Sequence, residues 1–130
     1  VAFVIVTSPS PQAVSEAVYF GRKLSDYGIT PRGIVVNRVH ALAAAPVSDD
    51  AMIATQLRSH WPAALDPTAT IPALRQALSD SRAQAESDRE GVRRLREHIG
   101  QSLQYTEVPA FDHDVHDLRA LSELSQFLVA

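Results

Sequence analysis

The sequence predicts an α/β fold built on parallel strands, and three observations carry that prediction. Val1 to Thr7 is a continuous apolar run, and Ile34-Val35-Val36 is a second one leading into Asn37-Arg38-Val39. Runs of this kind suit strands buried on both faces of a parallel sheet. A segment of helical length and apolar spacing separates the two, and a third run, Leu103 to Val108, precedes another amphipathic segment. The expected architecture is three-layer: parallel strands flanked by helices, with a helical insertion between the second and third strands. Residues 1–130 read as a single α/β domain or a fragment of one, and residues 41–102 as a mainly helical insertion.

The first strand ends at Thr7-Ser8-Pro9, where Ser10 can cap a helix that has Pro11 at its first position. Val14, Ala17, Val18 and Leu24 mark that helix's inner face, and Gly28 suits the left-handed residue after its end. Thr30-Pro31-Arg32-Gly33 turns the chain into the second strand, Ile34 to Val39. This completes a β-α-β unit with a right-handed connection.

Ala41 to Pro46 is a run of small residues, and Ser48-Asp49-Asp50 caps a short helix ending near Trp61-Pro62. Pro62, Pro67 and Pro72 punctuate the following loop. From Pro72 to about Ile99 the composition is strongly helical. Leu74, Leu78, Ser81, Ala85, Asp88, Val92, Leu95 and Ile99 share one stripe, apolar at its ends and small or charged in the middle. Gly91 costs a continuous helix about 1 kcal/mol relative to alanine. Two readings stand: one long helix, or two helices broken near Ser87 to Gly91. Leu103 to Val108 is the third strand, stopped by Pro109. Asp112-His113-Asp114 then opens a final helix with Val115, Leu118, Leu121, Leu124, Phe127 and Leu128 on its inner face.

Composition excludes several function classes. A net charge of −3 gives no electrostatic footprint for nucleic acid. The apolar run at Val1 to Val6 is far too short to span a membrane. With no cysteine there is no disulfide, thiolate zinc site or cysteine nucleophile. A reducing, cytoplasmic setting fits. The chain opens on Val1 inside a strand, which reads as a fragment cut from a longer gene product.

The chemistry-bearing residues cluster at expected strand ends: Thr7-Ser8, Asn37-Arg38 and Val108-Pro109-Ala110-Phe111. In an open α/β sheet, ligands bind outside the carboxyl ends of the strands. The Asn37 carboxamide donates and accepts in one plane, which suits the edge of adenine. The loop from Pro109 to Phe111 would add backbone groups and an apolar wall. Set against this, an Asn after a strand also serves as an ordinary turn residue. The five glycines are isolated, so neither a phosphate loop nor a Gly-x-Gly-x-x-Gly turn is present. His113 and His116, flanked by Asp112, Asp114 and Asp117, have metal-ligand spacing, but acidic residues are favoured at a helix N-terminus for other reasons.

With these residues in place, the chain resembles the carboxy-terminal portion of an ArsA-like anion-transporting ATPase. That family covers the arsenical-pump ATPases and the ATPases that target tail-anchored membrane proteins. Phe3-Val4-Ile5-Val6-Thr7, Pro9-Ser10-Pro11 and Glu16 resemble its strand, turn and acidic helix. Gly28-Ile29 and Ile34 to Val39 resemble the strand ending in its base-contacting Asn. Val108-Pro109-Ala110-Phe111, followed by Val115, Leu118, Leu121 and Phe127, resembles its last strand, adenine-side loop and final helix. Ser10 stands where the family often has Glu, and the Cys-x-x-Cys zinc pair of the targeting branch is absent.

The resemblance implies a fragment of a P-loop NTPase-type fold. Asn37, Arg38, Val108, Pro109, Ala110 and Phe111 would line the adenine site, with no catalytic residue and no metal ligand in this chain. ATP with magnesium is the implied cofactor of the intact protein, and no cofactor is expected to bind tightly to this chain alone. The implied partners are an amino-terminal ATPase half carrying the phosphate loop, a second subunit of a homo- or hetero-dimer, and a protein cargo on the helical insertion. No nucleic acid and no membrane span are expected, and the setting is cytoplasmic, free or peripheral to a membrane. The competing expectation is a non-catalytic interaction module that kept the fold without nucleotide binding. A small flavodoxin-like or receiver-type domain is a third, although its acidic pocket is not evident at the strand ends.

Overall fold

The computed structural model describes residues 2–42, 49–60 and 66–129. The order of elements is β1 (Val4–Thr7), α1 (Pro11–Asp26), β2 (Gly33–Val39), α2 (Asp50–His60), α3 (Pro67–Ile99), β3 (Gln104–Pro109) and α4 (Leu118–Leu128). The three strands form one parallel sheet in the order β1-β2-β3, with Ile5, Ile34 and Tyr105 in one row and Val6, Val35 and Thr106 in the next. The chain divides into two compact units. One comprises Val1–Ala41 and Ala85–Ala130, the other Leu42–Gln84. The strongly helical stretch is therefore shared: α3 supplies its first half to one unit and its second half to the other.

The α/β unit follows from strand alternation. Successive residues of a strand face opposite sides, and Ile5, Ile34 and Val36 bury one side against Val14, Ala17, Val18 and Leu24 of α1 and Val92 and Leu95 of α3. α1 begins as its sequence dictates. Ser10 is the cap and accepts from the Ala13 amide at 3.4 Å, Pro11 opens the first turn, and Gly28 takes φ 70° after the C-cap. Tyr105 fastens the end of α3, its hydroxyl lying 3.1 Å and 3.0 Å from the carbonyls of Leu95 and Gly100.

α3 is one continuous helix, which decides between the two readings of that stretch. Gly91 is a site of close approach rather than a break. A Cβ there would stand 2.2 Å from the Pro9 carbonyl oxygen, so only glycine lets the helix lie against the end of β1. The stripe on α3 is buried from Ala85 through Asp88, Val92 and Leu95, whereas Leu74 and Ser81 are exposed. The helix also starts at Pro67, five residues before the expected Pro72. Pro67 at the first position costs no hydrogen bond, and Pro72 lies inside the helix.

The other side of the sheet departs most from expectation. α4 begins at Leu118 under the cap of Asp117, whose Oδ1 accepts from the Ala120 amide at 2.8 Å. Residues 112–117 are thus a loop, because Asp117 competes successfully for the cap position that Asp112 to Asp114 were expected to hold. The expected inner face of α4 is mostly in solvent: Leu118 is 85% exposed, and Leu121, Phe127 and Leu128 are exposed too. Val4 and Val6 of β1 are equally bare on that side. A parallel sheet normally has both faces covered, and here α4 covers only the β3 end.

The Leu42–Gln84 unit has its own small core of Ala54, Leu57 and Ile71 with Ile53 packed on it. Asp49 caps α2, its Oδ1 accepting from the Met52 amide at 2.7 Å, and Arg75 Nε bonds Asp50 at 2.8 Å. The expected cap at Ser48, the small-residue loop Ala43 to Pro46 and the helix end at Trp61-Pro62 lie outside the described residues, as does Val1. Among the described residues no helix is long and apolar enough to cross a membrane.

Candidate functional site

The carboxyl ends of β2 and β3 frame a cavity of about 430 Å³, a size typical of small-molecule sites. Asn37, Arg38, Pro109 and Phe111 line it, together with Asp112, His113, Asp114, Val115 and Leu124. Four of the six residues singled out from the sequence therefore share one concavity. The other two do not line it. Val108 is a fully buried residue of β3, 1% exposed. The Ala110 amide donates to the Val39 carbonyl at 2.9 Å, extending the β2–β3 ladder rather than facing a ligand. The end of β1 is not part of the lining either. Thr7 Oγ1 lies 3.2 Å from the Ala13 carbonyl, and Ser8 Oγ lies 3.2 Å from Ser10 Oγ.

The end of β2 is irregular. Asn37 pairs with Val108 and Val39 with Pro109, so Arg38 is an extra residue without a partner, a β-bulge. Its φ is 64°, the left-handed region that a non-glycine residue occupies at a cost of about 1–2 kcal/mol. Bulges of this sort re-aim side chains next to binding sites, and strained residues cluster there. Asn37 lies on the same side of the sheet as Val35 and, by register, Val108, the side on which α4 supplies Leu124 to the cavity wall.

Aromatic and ionic contacts shape the opposite wall. The Phe111 ring meets Phe127 of α4 edge-on at 6.1 Å and stands 5.6 Å from the His113 ring. His113 Nδ1 lies 2.7 Å from Asp112 Oδ1, and its Nε2 lies 3.6 Å from Glu123 of α4. A carboxylate only accepts, so Nδ1 carries the proton. The hydrogen bond to Asp112 raises the His113 pKa above its ordinary value, with Glu123 and Asp117 adding to it, and the same bond lowers that of Asp112. His113 and His116 do not share a helix face, and His116 Nδ1 is engaged 2.9 Å from the Asp114 carbonyl. Among the described residues no group of three or more His, Asp or Glu side chains is placed to hold a metal ion.

One residue near the site was read in the sequence only as a charged member of the α3 stripe, without a role. Asp88 of α3 is 1% exposed, the one buried charged side chain among the described residues. Its Oδ2 accepts from the backbone amide of His40 at 2.8 Å and lies 2.8 Å from His40 Nδ1. His40 is two residues beyond Arg38. The signal was present: a carboxylate in the middle of an otherwise apolar or small stripe needs a buried donor.

The arrangement joins a planar amide, an aromatic face, an apolar floor and a mixed-charge rim. It can hold a flat heterocycle with polar edges. The carboxylates of Asp112 and Asp114 on the rim oppose an anionic group there. No family model and no curated protein matches the chain.

Proposed function

We propose that this chain is the adenine-side and helical partner-binding portion of an ATP-binding ATPase of the ArsA-like kind, on a P-loop NTPase-type fold, and that it is catalytically incomplete without a phosphate loop. The observation that carries this reading is the meeting of Asn37, Arg38, Pro109 and Phe111 on one cavity at the carboxyl ends of β2 and β3, where open α/β sheets take their ligands. Asn37 would hydrogen-bond the adenine edge, and Phe111, Pro109, Val115 and Leu124 would enclose its faces. These residues fit the base. They do not fit the triphosphate with magnesium: the sequence has no glycine-rich cradle, and Asp112 and Asp114 repel phosphate. The phosphate contacts and the chemistry of hydrolysis would come from outside residues 1–130. The Leu42–Gln84 unit would carry the cargo or partner.

The deciding observation on the gene is whether a Gly-Lys-Gly-Gly-type phosphate loop is encoded upstream of Val1; without one, the ATPase reading falls. The biochemical test is nucleotide binding by the intact protein. Asn37→Ala is expected to weaken ATP by about ten-fold and to erase its preference over GTP, on the order of one lost bidentate base contact. Unchanged adenine selectivity would remove Asn37 from the site. The isolated chain is expected to show no ATPase turnover.

A second reading is favoured by a separate observation. Leu118, Leu121 and Leu128 of α4 and Val4 and Val6 of β1 present apolar side chains to solvent, as an interaction module without nucleotide would. Absence of any nucleotide binding by the intact protein would select it.

A further inference from the structure

The left-handed residue Arg38 sits in the most constrained part of the candidate site. Strained backbone persists only where its surroundings over-determine it. Before Arg38, Asn37 is paired with Val108. After it, the Val39 carbonyl accepts from Ala110. Both contacts come from β3 and its loop. The third comes from α3: the His40 amide donates to Asp88 Oδ2 at 2.8 Å, and the His40 ring bonds the same oxygen.

Asp88 occupies a core position between Ala85 and Val92, where an apolar residue would serve packing at no electrostatic cost. Burying a carboxylate is unfavourable unless donors compensate it. Here two of the contacts come from His40, just beyond the strand end that bears Asn37 and Arg38 and 48 positions away in the chain. Gly91, one turn later, lets α3 lie against Pro9 and so brings Asp88 to that rim.

We propose that Asp88 is a positioning residue for the cavity: its buried carboxylate holds His40 and, through it, the left-handed turn at Arg38 that aims Asn37 and Arg38. Asp88 does not touch the ligand. Its effect on binding rests on the adenine reading above; its effect on the backbone does not.

The test uses the full chain, labelled for NMR, with adenosine as the probe. In Asp88→Ala the Arg38 amide–α-proton coupling and carbon shifts, which report its φ, should leave their wild-type values. The Kd for adenosine should rise about ten-fold, a typical effect of loosening a binding group's support. Asp88→Asn keeps an oxygen to accept from the His40 amide. It should retain the Arg38 signals and bind within about three-fold of wild type. If Asp88→Ala is unfolded in buffer, the spectra are taken in sucrose, which favours the compact state. Wild-type Arg38 signals in folded Asp88→Ala would overturn the proposal, as would their loss in folded Asp88→Asn. If the wild-type chain binds no adenosine, the base-pocket reading fails, and the Arg38 signals alone decide the role of Asp88.

Discussion

Alanine at Gly91 would place its methyl carbon 2.2 Å from the Pro9 carbonyl oxygen and 3.1 Å from its carbonyl carbon. Both neighbours are backbone, so the contact is relieved only if α3 and the end of β1 move apart by close to an ångström. In a helix interior, Gly→Ala is otherwise worth about 1 kcal/mol of added stability. Overpacking of a close contact costs about 1–3 kcal/mol. The clash should win, leaving Gly91→Ala about 1 kcal/mol less stable than wild type. Gly21 in α1 supplies the contrast. Its added Cβ would meet the Ile99 Cγ2 methyl at 3.2 Å, an overlap relieved by a shift of a few tenths of an ångström. Gly21→Ala should therefore keep about half of the helix gain and be stabilised by about 0.5 kcal/mol. Urea unfolding followed by far-UV circular dichroism gives both values from the shift in midpoint. A Gly91→Ala chain as stable as wild type, or more so, would refute the close approach of α3 to Pro9.

Three further expectations concern the elements around the cavity. Asp117→Ala removes the cap of α4 and should cost about 1 kcal/mol by urea unfolding; a cost near zero would mean that the loop, not the cap, sets where α4 begins. Tyr105→Phe removes the hydroxyl that holds the Leu95 and Gly100 carbonyls and should cost about 1 kcal/mol by the same assay, with an unchanged midpoint counting against it. His113 should titrate by NMR above its ordinary value of 6.5 because of its hydrogen bond to Asp112, and Asp112→Asn should bring it back down. A raised histidine supports the fold fully below 6.5, and that support is lost as pH rises through the raised value. The lowered Asp112 supports it above 3.8, and this is lost as pH falls through the lowered value. The pair therefore acts between those limits, and a His113 midpoint indifferent to Asp112→Asn would contradict the contact.

Much of the α/β unit was legible because its signals are local. The runs ending at Thr7 and Val39, the Ser10-Pro11 start of α1 and its Gly28 stop need only neighbours in sequence to act. α4 was harder. Its apolar spacing fixed a helix but could not fix a partner for Leu118 or Leu121, since amphipathicity states a preference that the described fold leaves unmet. Asp117, rather than the acidic group before it, took the cap, a competition among near-equal candidates that sequence alone does not rank. Gly91 was read by its helix propensity, yet its role depends on Pro9, 82 positions earlier. Asp88 was hidden for the same reason: its partner is distant in sequence. At the site, Asn37, Arg38, Pro109 and Phe111 were legible as strand-end residues. The bulge at Arg38 was not, because it arises from the β2–β3 register.

In the proposed function the ends of β2 and β3 form a pocket for adenine. The most direct measurement is a titration of the isotope-labelled chain with adenosine, followed through amide shifts. A base pocket there gives saturable shifts at the Asn37 side-chain amide and at Arg38, Phe111 and Val115, with the Leu42–Gln84 unit unmoved. Saturable shifts centred elsewhere, or none at millimolar adenosine, would contradict it.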